Sequence, residues 1–252
     1  MPAKKLEGKV AVITGASRGL GRAMAISLAA EGARIALVAR NKEKLADVAA
    51  ELIGSGGEAK VFPADVSNEA AALGLAREVQ DIMGPAAILI NNAGMNIRKK
   101  LIDFSLQEWN SVMETNVTSV FLMCRAFVPQ MLGAGYGRIL NLCSIMSHVS
   151  LPERSAYSTS KAGLLGLTRA LALELAPEGI TVNGISPGPF GTEMNTPIMQ
   201  NAELNRQFVS NIPLGRWGRL EEVGALAVYL CSPDAGFITG TDILIDGGWC
   251  AR

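Results

Sequence analysis

The stretch "RSAYSTSKAG" places Tyr157 and Lys161 four residues apart and leads directly into the apolar pattern "LLGLTRALALEL". If this segment is helical, the spacing brings both side chains to one face, one turn apart. A phenol titrates at about pH 10 in water and is a poor base at neutral pH, but a nearby cation favours its ionised form. The pair suggests acid/base chemistry by a tyrosine that a lysine assists. The alternative is an ordinary surface helix, so the rest of the chain must decide.

A second candidate site is the glycine-rich turn in "VAVITGASRGLGRAMAISLAAEGA", which is typical of a strand, a turn and a helix. Gly15, Gly19 and Gly21 would allow a sharp turn and a close approach of the backbone to a pyrophosphate, whose charge the following helix N-terminus favours. The spacing is GxxxGxG rather than the GxGxxG of the common dinucleotide motif. A glycine-rich connection without a ligand would look similar.

The end of the second predicted strand indicates which dinucleotide would bind. A fold that binds NAD usually places an acidic residue about 20 residues beyond the glycine turn, on the ribose 2′-hydroxyl. Here the segment is "VARNKEK", with Arg40 at the strand end, and Arg18 lies inside the glycine turn. Two cations can therefore flank a 2′-phosphate, the alternative being two solvated surface arginines. The sequence predicts NADP(H) as the cofactor.

Short apolar runs alternate with longer helical patterns and indicate the elements that position these residues. Strands are predicted at 10–14, 34–39, 59–64, 86–91, 137–143, 180–186 and 242–247, and they are apolar on both faces. Such strands are typical of a parallel sheet that helices cover on both sides. We predict the α/β class, with a single Rossmann-type doubly wound parallel sheet of about seven strands.

The whole chain, residues 1–252, is predicted to form one dinucleotide-binding oxidoreductase domain. Segment 187–219 differs from the rest because four prolines interrupt it and its polar residues follow no strand period. We interpret it as an excursion over the carboxyl edge of the sheet, where ligands bind in open α/β folds. It is a candidate substrate lid.

Composition argues against several classes of partner. Lys+Arg and Asp+Glu both count 23, so no electrostatic footprint for nucleic acid or an anionic membrane is visible. The four cysteines are scattered and His148 is the only histidine, which predicts no metal site and makes His148 a pocket-wall or surface residue. The N-terminal lysines precede no apolar segment, and no uncharged stretch could span a bilayer. We expect a cytoplasmic protein.

Seven motifs in order resemble those of the short-chain dehydrogenase/reductase family. They are "TGASRGLG" at 14–21, "DV" at 65–66, "NNAG" at 91–94, "TN" at 115–116, "CS" at 143–144, "YSTSK" at 157–161 and "SPGPFGTEM" at 186–194. The resemblance extends from about Leu6 to the C-terminus. It implies an enzyme that interconverts a secondary alcohol and a ketone with a nicotinamide cofactor.

The resemblance implies catalytic roles for Asn116, Ser144, Tyr157 and Lys161. Tyr157 would exchange a proton with the substrate oxygen, and Ser144 would hydrogen-bond that oxygen, with Ser147 as the alternative. Lys161 would favour the phenolate and bind the nicotinamide ribose. The backbone of Asn116 would hold a water of a proton relay.

The resemblance also implies a cofactor site along the carboxyl edge of the sheet. Asp65 and Val66 would contact the adenine, and Thr192 would hold the nicotinamide carboxamide with help from the backbone of Phe190. Small residues after the fourth strand would let the cofactor lie close to the backbone. The implied cofactor-binding residues are Gly15, Ser17, Arg18, Gly19, Leu20, Gly21, Arg40, Asp65, Val66, Asn92, Ala93, Gly94, Tyr157, Lys161, Pro187, Gly188, Phe190 and Thr192.

The stretches "NNAGMNIRKK", "IPLGRWGRLEEV" and "DGGWCAR" resemble the sugar-acid branch of the family, the gluconate 5-dehydrogenases and 2-deoxygluconate 3-dehydrogenases. A sugar acid needs a cation for its carboxylate, and Arg98 or Arg154 would supply a bidentate guanidinium unless both are solvated surface charges. A 3-oxoacyl-(acyl-carrier-protein) reductase or a general carbonyl reductase would share every catalytic motif. A non-catalytic nucleotide-binding protein would not need them. The resemblance further implies a homotetramer.

Overall fold

A seven-stranded parallel sheet forms the centre of the structure, a computed structural model that describes residues 4–251. The spatial order is β3-β2-β1-β4-β5-β6-β7, and all neighbouring strands pair in parallel. The strands are β1 (Val10–Thr14), β2 (Arg34–Ala39), β3 (Glu58–Pro63), β4 (Ala86–Asn91), β5 (Gly137–Leu142), β6 (Ile180–Pro187) and β7 (Asp242–Ile245). The predicted fold class is confirmed. The ends of the predicted domain, residues 1–3 and 252, lie outside the described residues.

Helices cover both faces of the sheet, as predicted. One layer contains α1, α2 and α9, and the opposite layer contains α3, α5 and α6. The helices are α1 (Gly19–Ala30), α2 (Lys42–Gly54), α3 (Glu69–Met83), α4 (Leu106–Met113), α5 (Ser119–Phe127), α6 (Ser155–Leu175), α7 (Thr196–Gln200), α8 (Ala202–Val209) and α9 (Leu220–Cys231). A π-helical turn, Glu114–Thr118, joins α4 to α5. Within residues 4–251, none of the helices is long and apolar enough to cross a membrane.

Successive residues of a strand enter opposite layers, which explains why the strands are apolar on both faces. In β1, Ala11 and Ile13 pack in the layer of α1, whereas Val10 and Val12 pack in the layer of α3. All four are buried. Full burial of one large aliphatic side chain contributes about 1.5–3 kcal/mol to folding, so a polar residue in either register would weaken the sheet.

The carboxyl edge of the sheet collects the predicted site residues. Because β1 lies between β2 and β4, the connections leave it in opposite directions and open a crevice at the strand ends. The glycine turn follows β1, Arg40 follows β2, and the "NNAG" segment spans the end of β4. Ser144 follows β5, and Pro187 is the last residue of β6. The topology therefore brings residues that are distant in sequence to one crevice.

Segment 187–219 leaves this edge after β6 and contains α7 and α8. Asn201 begins α8, where its side chain accepts hydrogen bonds from the backbone of Glu203 and Leu204. The base of the segment is closed because Phe190 forms a bridge with Gly218, whose N–H donates to the carbonyl of Pro189 at 2.9 Å. The segment is a loop anchored at its base, and its function as a lid stays a prediction.

Candidate active site

Tyr157 and Lys161 lie at the start of α6, with the Lys161 Nζ atom 5.9 Å from the centre of the Tyr157 ring. Nζ donates a hydrogen bond to the carbonyl of Leu142, the last residue of β5, at 2.5 Å. Only 5% of Lys161 is exposed. Since long cationic side chains normally extend into water, this hydrogen bond and the burial keep the ammonium group at the strand edge, beside the phenol.

Asn116 is fully buried in the π-helical turn and joins three segments. Its Oδ1 accepts from the N–H of Met95 at 2.8 Å, and its Nδ2 donates to the Met95 carbonyl and to Ser160 Oγ, both at 2.9 Å. A Cβ atom on Gly94 would lie 3.3 Å from Asn116 Oδ1 and 3.6 Å from Lys161 Nζ. The loop after β4, the π-turn and α6 therefore meet beside Lys161, and π-turns are frequent at functional sites.

Ser144 begins a short 3₁₀ turn, Ile145–Ser147, directly after β5. Its Oγ accepts from the N–H of Met146 at 3.1 Å, which leaves the hydroxyl hydrogen available to a substrate oxygen. Ser147, the alternative, accepts from the N–H of Ser144 at 3.3 Å and so contributes to the shape of the turn. Ile145 and Met146 belong to the apolar cluster that packs against Tyr157. The structure thus brings the turn of Ser144 to Tyr157.

Packing explains two of the three glycines in the turn after β1. A Cβ on Gly21 would lie 2.4 Å from both the Gly15 carbonyl oxygen and Asn92 Nδ2, and a Cβ on Gly15 would lie 2.8 Å from the same Nδ2. Asn92 Nδ2 donates to the carbonyls of Thr14 and Gly15, at 2.9 and 3.1 Å. The Thr14 hydroxyl accepts from the backbone of Asn92 and Ala93. The side chain of Asn92 therefore holds the glycine turn.

A cavity of about 430 Å³ opens beside the N-terminus of α1, where Ser17, Arg18, Gly19 and Thr192 are among its lining residues. Gly19 has a φ of +56°, and a Cβ there would meet only Thr192 Cγ2, at 3.8 Å. The first backbone N–H groups of α1 have no intrahelical partner and attract an anion. Arg18 lies 3.6 Å from Glu193 Oε2 in a solvent-exposed ion pair. This cradle fits a phosphate group.

Arg40 and Asp65 come together at the outer end of the crevice. Asp65 Oδ1 accepts from Ser67 Oγ at 2.6 Å and from the Ser67 N–H at 3.0 Å. These bonds, and then the charge of Arg40, lower the pKa of the Asp65 carboxyl. Val66 and Leu20 lie in the hydrophobic layers on opposite faces of the sheet. Both are therefore supporting residues of the crevice.

The turn after β6 closes against β7. Gly188 donates to the Ile245 carbonyl at 2.9 Å, and a Cβ on Gly188 would lie 2.6 Å from that of Asp246. Phe190, only 3% exposed, is part of the core, and its carbonyl accepts from the backbone of Thr192 and from Asn195 Nδ2. These bonds hold Thr192 at the edge of the cavity beside Gly19.

Arg98 and Arg154 lie on adjoining loops, which a hydrogen bond from the Lys99 N–H to the Glu153 carbonyl joins at 3.3 Å. Burial lowers the pKa of the Arg154 guanidinium, and the charge of Arg98 lowers it further, while Glu153 and Tyr157 act in the opposite direction. Arg154 donates a hydrogen bond to the Glu153 carbonyl at 3.4 Å, and within residues 4–251 neither arginine forms an ion pair. Two like charges, neither of them in an ion pair within residues 4–251, form a candidate anion site.

An aromatic wall, formed by Phe208, Trp217 and Trp249, was not predicted from the sequence. Phe208 stacks on Trp217 with ring centres 4.8 Å apart and contacts Trp249 at 5.4 Å. Trp249, with Ile212 and the turn after Ser144, forms the apolar cluster on which Tyr157 and Phe208 pack. Segment 187–219 and the C-terminal turn therefore meet at Tyr157. Since these residues are far apart in sequence, no local pattern could have indicated the contact.

His148 also has a partner that the sequence did not reveal. Its Nε2 lies 2.6 Å from Asp242 Oδ2, and the two side chains are 32% and 10% exposed. The described part of the chain contains no group of three His, Cys, Asp or Glu side chains that could hold a metal ion. The histidine is thus hydrogen-bonded to a carboxylate at the edge of the site.

Comparison with known proteins decides the family. A family model described as enoyl-(acyl carrier protein) reductase matches residues 15–250. The gluconate 5-dehydrogenase of Gluconobacter oxydans is 36% identical over 243 residues, which cover 96% of this chain and 95% of that protein. The chain belongs to the short-chain dehydrogenase/reductase family. The resemblance inferred from the motifs is confirmed, and this short-chain dehydrogenase/reductase is an oxidoreductase.

Two further comparisons bear on the substrate of this short-chain dehydrogenase/reductase. A 3-oxoacyl-(acyl-carrier-protein) reductase of Synechocystis is 39% identical over 245 residues, covering 96% of this chain and 97% of that protein. A crystal structure shows a gluconate 5-dehydrogenase from Burkholderia cenocepacia in complex with NADP and tartrate. It is similar to this chain with a TM-score of 0.94 and 33% sequence identity, and the match covers 99% of this chain and 98% of that one. The relatives therefore include both substrate classes that the sequence left open.

Proposed function

We propose that this enzyme is an NADP(H)-dependent reductase and dehydrogenase of a sugar acid, of the gluconate and ketogluconate class. The observation that carries the substrate class is the pair Arg98 and Arg154, two guanidinium groups without an ion-pair partner in residues 4–251, beside Tyr157. A carboxylate between them would relieve their mutual repulsion and form charge-assisted hydrogen bonds. The gluconate 5-dehydrogenase relatives support the same class.

The cofactor proposal is based on the two ends of the crevice. The first turn of α1, beginning at Gly19, and the Arg18 and Arg40 side chains would hold the phosphates. Asp65 would bind the adenine, and Thr192 and Lys161 the nicotinamide end. When bound, NADP(H) supplies or accepts the hydride. The NADP bound to the Burkholderia cenocepacia enzyme supports the choice of dinucleotide.

The residues of the chain would perform the proton chemistry. During reduction, Ser144 Oγ donates a hydrogen bond to the substrate carbonyl, which increases its polarisation, and Tyr157 transfers a proton to the oxygen as charge develops there. During oxidation, Tyr157 takes the hydroxyl proton. The buried Lys161 ammonium lies beside the phenol, with its Nζ atom 5.9 Å from the centre of the Tyr157 ring. The hydrogen bonds of Asn116 to Met95 and Ser160 keep the proton-relay segment in place.

The alternative is a 3-oxoacyl-(acyl-carrier-protein) reductase, which the Synechocystis relative supports. Its neutral ketone would contact the aromatic wall and would need no cation beside the reacting carbonyl.

We further propose that the enzyme is a cytoplasmic homotetramer. Phe121 on α5 and Leu173 on α6, which are 48% and 80% exposed, lie on helices that a second copy could cover. Size-exclusion chromatography with light scattering measures the molar mass of the protein in solution and so tests the oligomeric state.

NADPH oxidation with 5-ketogluconate and with an acetoacetyl thioester, measured side by side as kcat/KM, tests the substrate class. We expect the sugar acid to be preferred. Arg154→Gln should raise KM for 5-ketogluconate about tenfold or more, the usual effect of losing a charged hydrogen bond, and leave KM for a neutral ketose unchanged. Arg125→Gln, which removes a solvent-exposed ion pair with Glu69, is the matched control. A preference for the thioester would refute the sugar-acid proposal but leave the family chemistry intact.

A further inference from the structure

Three polar side chains from separate elements meet behind the catalytic turn. Asp242 Oδ2, in the edge strand β7, lies 2.6 Å from His148 Nε2 and 2.7 Å from Ser186 Oγ. Ser186 Oγ, in β6, also lies 3.0 Å from the carbonyl oxygen of Ser144. The network therefore connects both ends of the turn that carries Ser144, because His148 directly follows the 3₁₀ residues Ile145–Ser147.

The chemistry of the three side chains shows which of them donates each hydrogen bond. An ionised carboxylate only accepts hydrogen bonds, so His148 Nε2 carries the hydrogen and donates to Asp242, and the single hydroxyl hydrogen of Ser186 lies between Asp242 and Ser144. Asp242 Oδ1 is buried, and the carboxylate also faces the buried thiol of Cys143, whose pKa is raised first by burial and then by the charge of Asp242. A buried carboxylate is costly unless it is paired. Among the described residues, His148 is the basic side chain within hydrogen-bond distance of Asp242.

The neighbouring strand accommodates this carboxylate. Gly184 in β6 pairs with Asp242, and a Cβ on Gly184 would lie only 2.3 Å from Asp242 Oδ1. Any larger residue at position 184 would displace the carboxylate from Ser186. The carboxylate is therefore built into the packing of β6 against β7, and His148 is the member of the network that reaches the surface.

We propose that His148 and Asp242 are positioning residues for Ser144. Asp242 holds Ser186 at the carbonyl of Ser144, and it holds His148 at the far end of the same turn. Because Ser144 Oγ accepts from the N–H of Met146 inside this turn, the shape of the turn decides where the hydroxyl points. This inference depends on the proposed function, in which Ser144 donates to the substrate oxygen.

The first experiment compares His148→Ala with His148→Gln. The alanine removes the donor to Asp242, whereas the glutamine amide can supply an N–H to the same carboxylate. A displacement of about 1 Å in a catalytic group can cost up to a hundredfold in rate. We expect His148→Ala to lower kcat tenfold or more while KM for NADPH stays unchanged, and His148→Gln to recover most of the loss. Unchanged kcat in His148→Ala would overturn the proposal.

Glu58→Ala is the matched control, since it removes the Arg34–Glu58 ion pair at the opposite, amino end of the strands. It should lower thermal stability without lowering kcat. If kcat falls in Glu58→Ala as much as in His148→Ala at equal loss of stability, the effect is structural and the proposal is wrong.

The second experiment places His148→Ala in a Ser144→Ala background. If His148 acts through the Ser144 hydroxyl, the second substitution costs little further activity, and the two effects are strongly non-additive. An equal loss in both backgrounds would refute the positioning role. Full activity in Ser144→Ala alone would instead contradict the proposed function of Ser144, so the two failures are distinguishable.

Discussion

Replacement of Gly21 by alanine should destabilise the protein, although the helix position alone suggests the opposite. Gly21 lies in the first turn of α1, and in an unconstrained helix a glycine-to-alanine change stabilises by about 0.5–1 kcal/mol. Here the added Cβ would lie 2.4 Å from the Gly15 carbonyl and from Asn92 Nδ2. The backbone of the glycine turn must move to accommodate it.

The magnitude follows from what this movement disrupts. Overpacking at a tight contact costs about 1–3 kcal/mol. Displacing the Asn92 amide weakens its two hydrogen bonds, to the Thr14 and Gly15 carbonyls, at about 0.5–1.5 kcal/mol each. After subtraction of the gain in helix propensity, the net loss of unfolding free energy is about 1–5 kcal/mol. In a chain of this size that corresponds to a Tm lower by about 2–20 °C.

Urea and thermal unfolding of Gly21→Ala and of Gly74→Ala would test this reasoning. Gly74 lies inside α3, and no atom is within 4 Å of a Cβ placed there, so this control should be stabilised by up to about 1 kcal/mol. NADPH affinity of Gly21→Ala should also fall, measured at a temperature where the variant is folded. Equal stabilisation in both variants would refute the close approach of α1 to the glycine turn.

Two further predictions concern charge. Arg40→Asp should shift the ratio of kcat/KM values from NADPH toward NADH by tenfold or more, because it replaces a cation with a carboxylate at the proposed 2′-phosphate position; an unchanged ratio would contradict that position. Glu108→Gln should lower Tm at neutral pH. The Lys99 ammonium, followed by the Ser105 backbone N–H, lowers the pKa of Glu108 from 4.5 to about 2. Its stabilising effect is therefore complete above pH 4.5 and is lost as the pH falls through about 2. The difference in Tm between Glu108→Gln and the parent should close over that range, and a difference that persists at pH 2 would contradict the pairing.

The sheet could be predicted because short stretches of sequence indicate its individual strands. The central strands are short apolar runs, and β1, β2 and β4 were predicted to the residue. The crevice followed from the alternation of strands and helices. The packing reason for a glycine at position 21 could not be predicted from the sequence. Its partner Asn92 follows β4, and only the folded chain shows the contact.

Other parts of the site could not be predicted for physical reasons. The π-turn around Asn116 differs from an α-helix only in the register of its backbone hydrogen bonds, and its side-chain pattern is helical in either case. His148 and Asp242 are 94 positions apart, and neither lies in a motif. Their pairing depends on the register of β6 with β7, which composition and periodicity do not encode.

The aromatic wall makes the substrate side of the enzyme optically distinctive. The chain contains three tryptophans, and two of them, Trp217 and Trp249, contact Phe208. Trp249 and Phe208 belong to the cluster that includes Tyr157, whereas Trp109 lies in α4. Indole emission responds to solvent polarity and overlaps the absorption of reduced nicotinamide. The enzyme therefore has an intrinsic spectroscopic probe at its proposed active site, and it needs no attached label for ligand titrations.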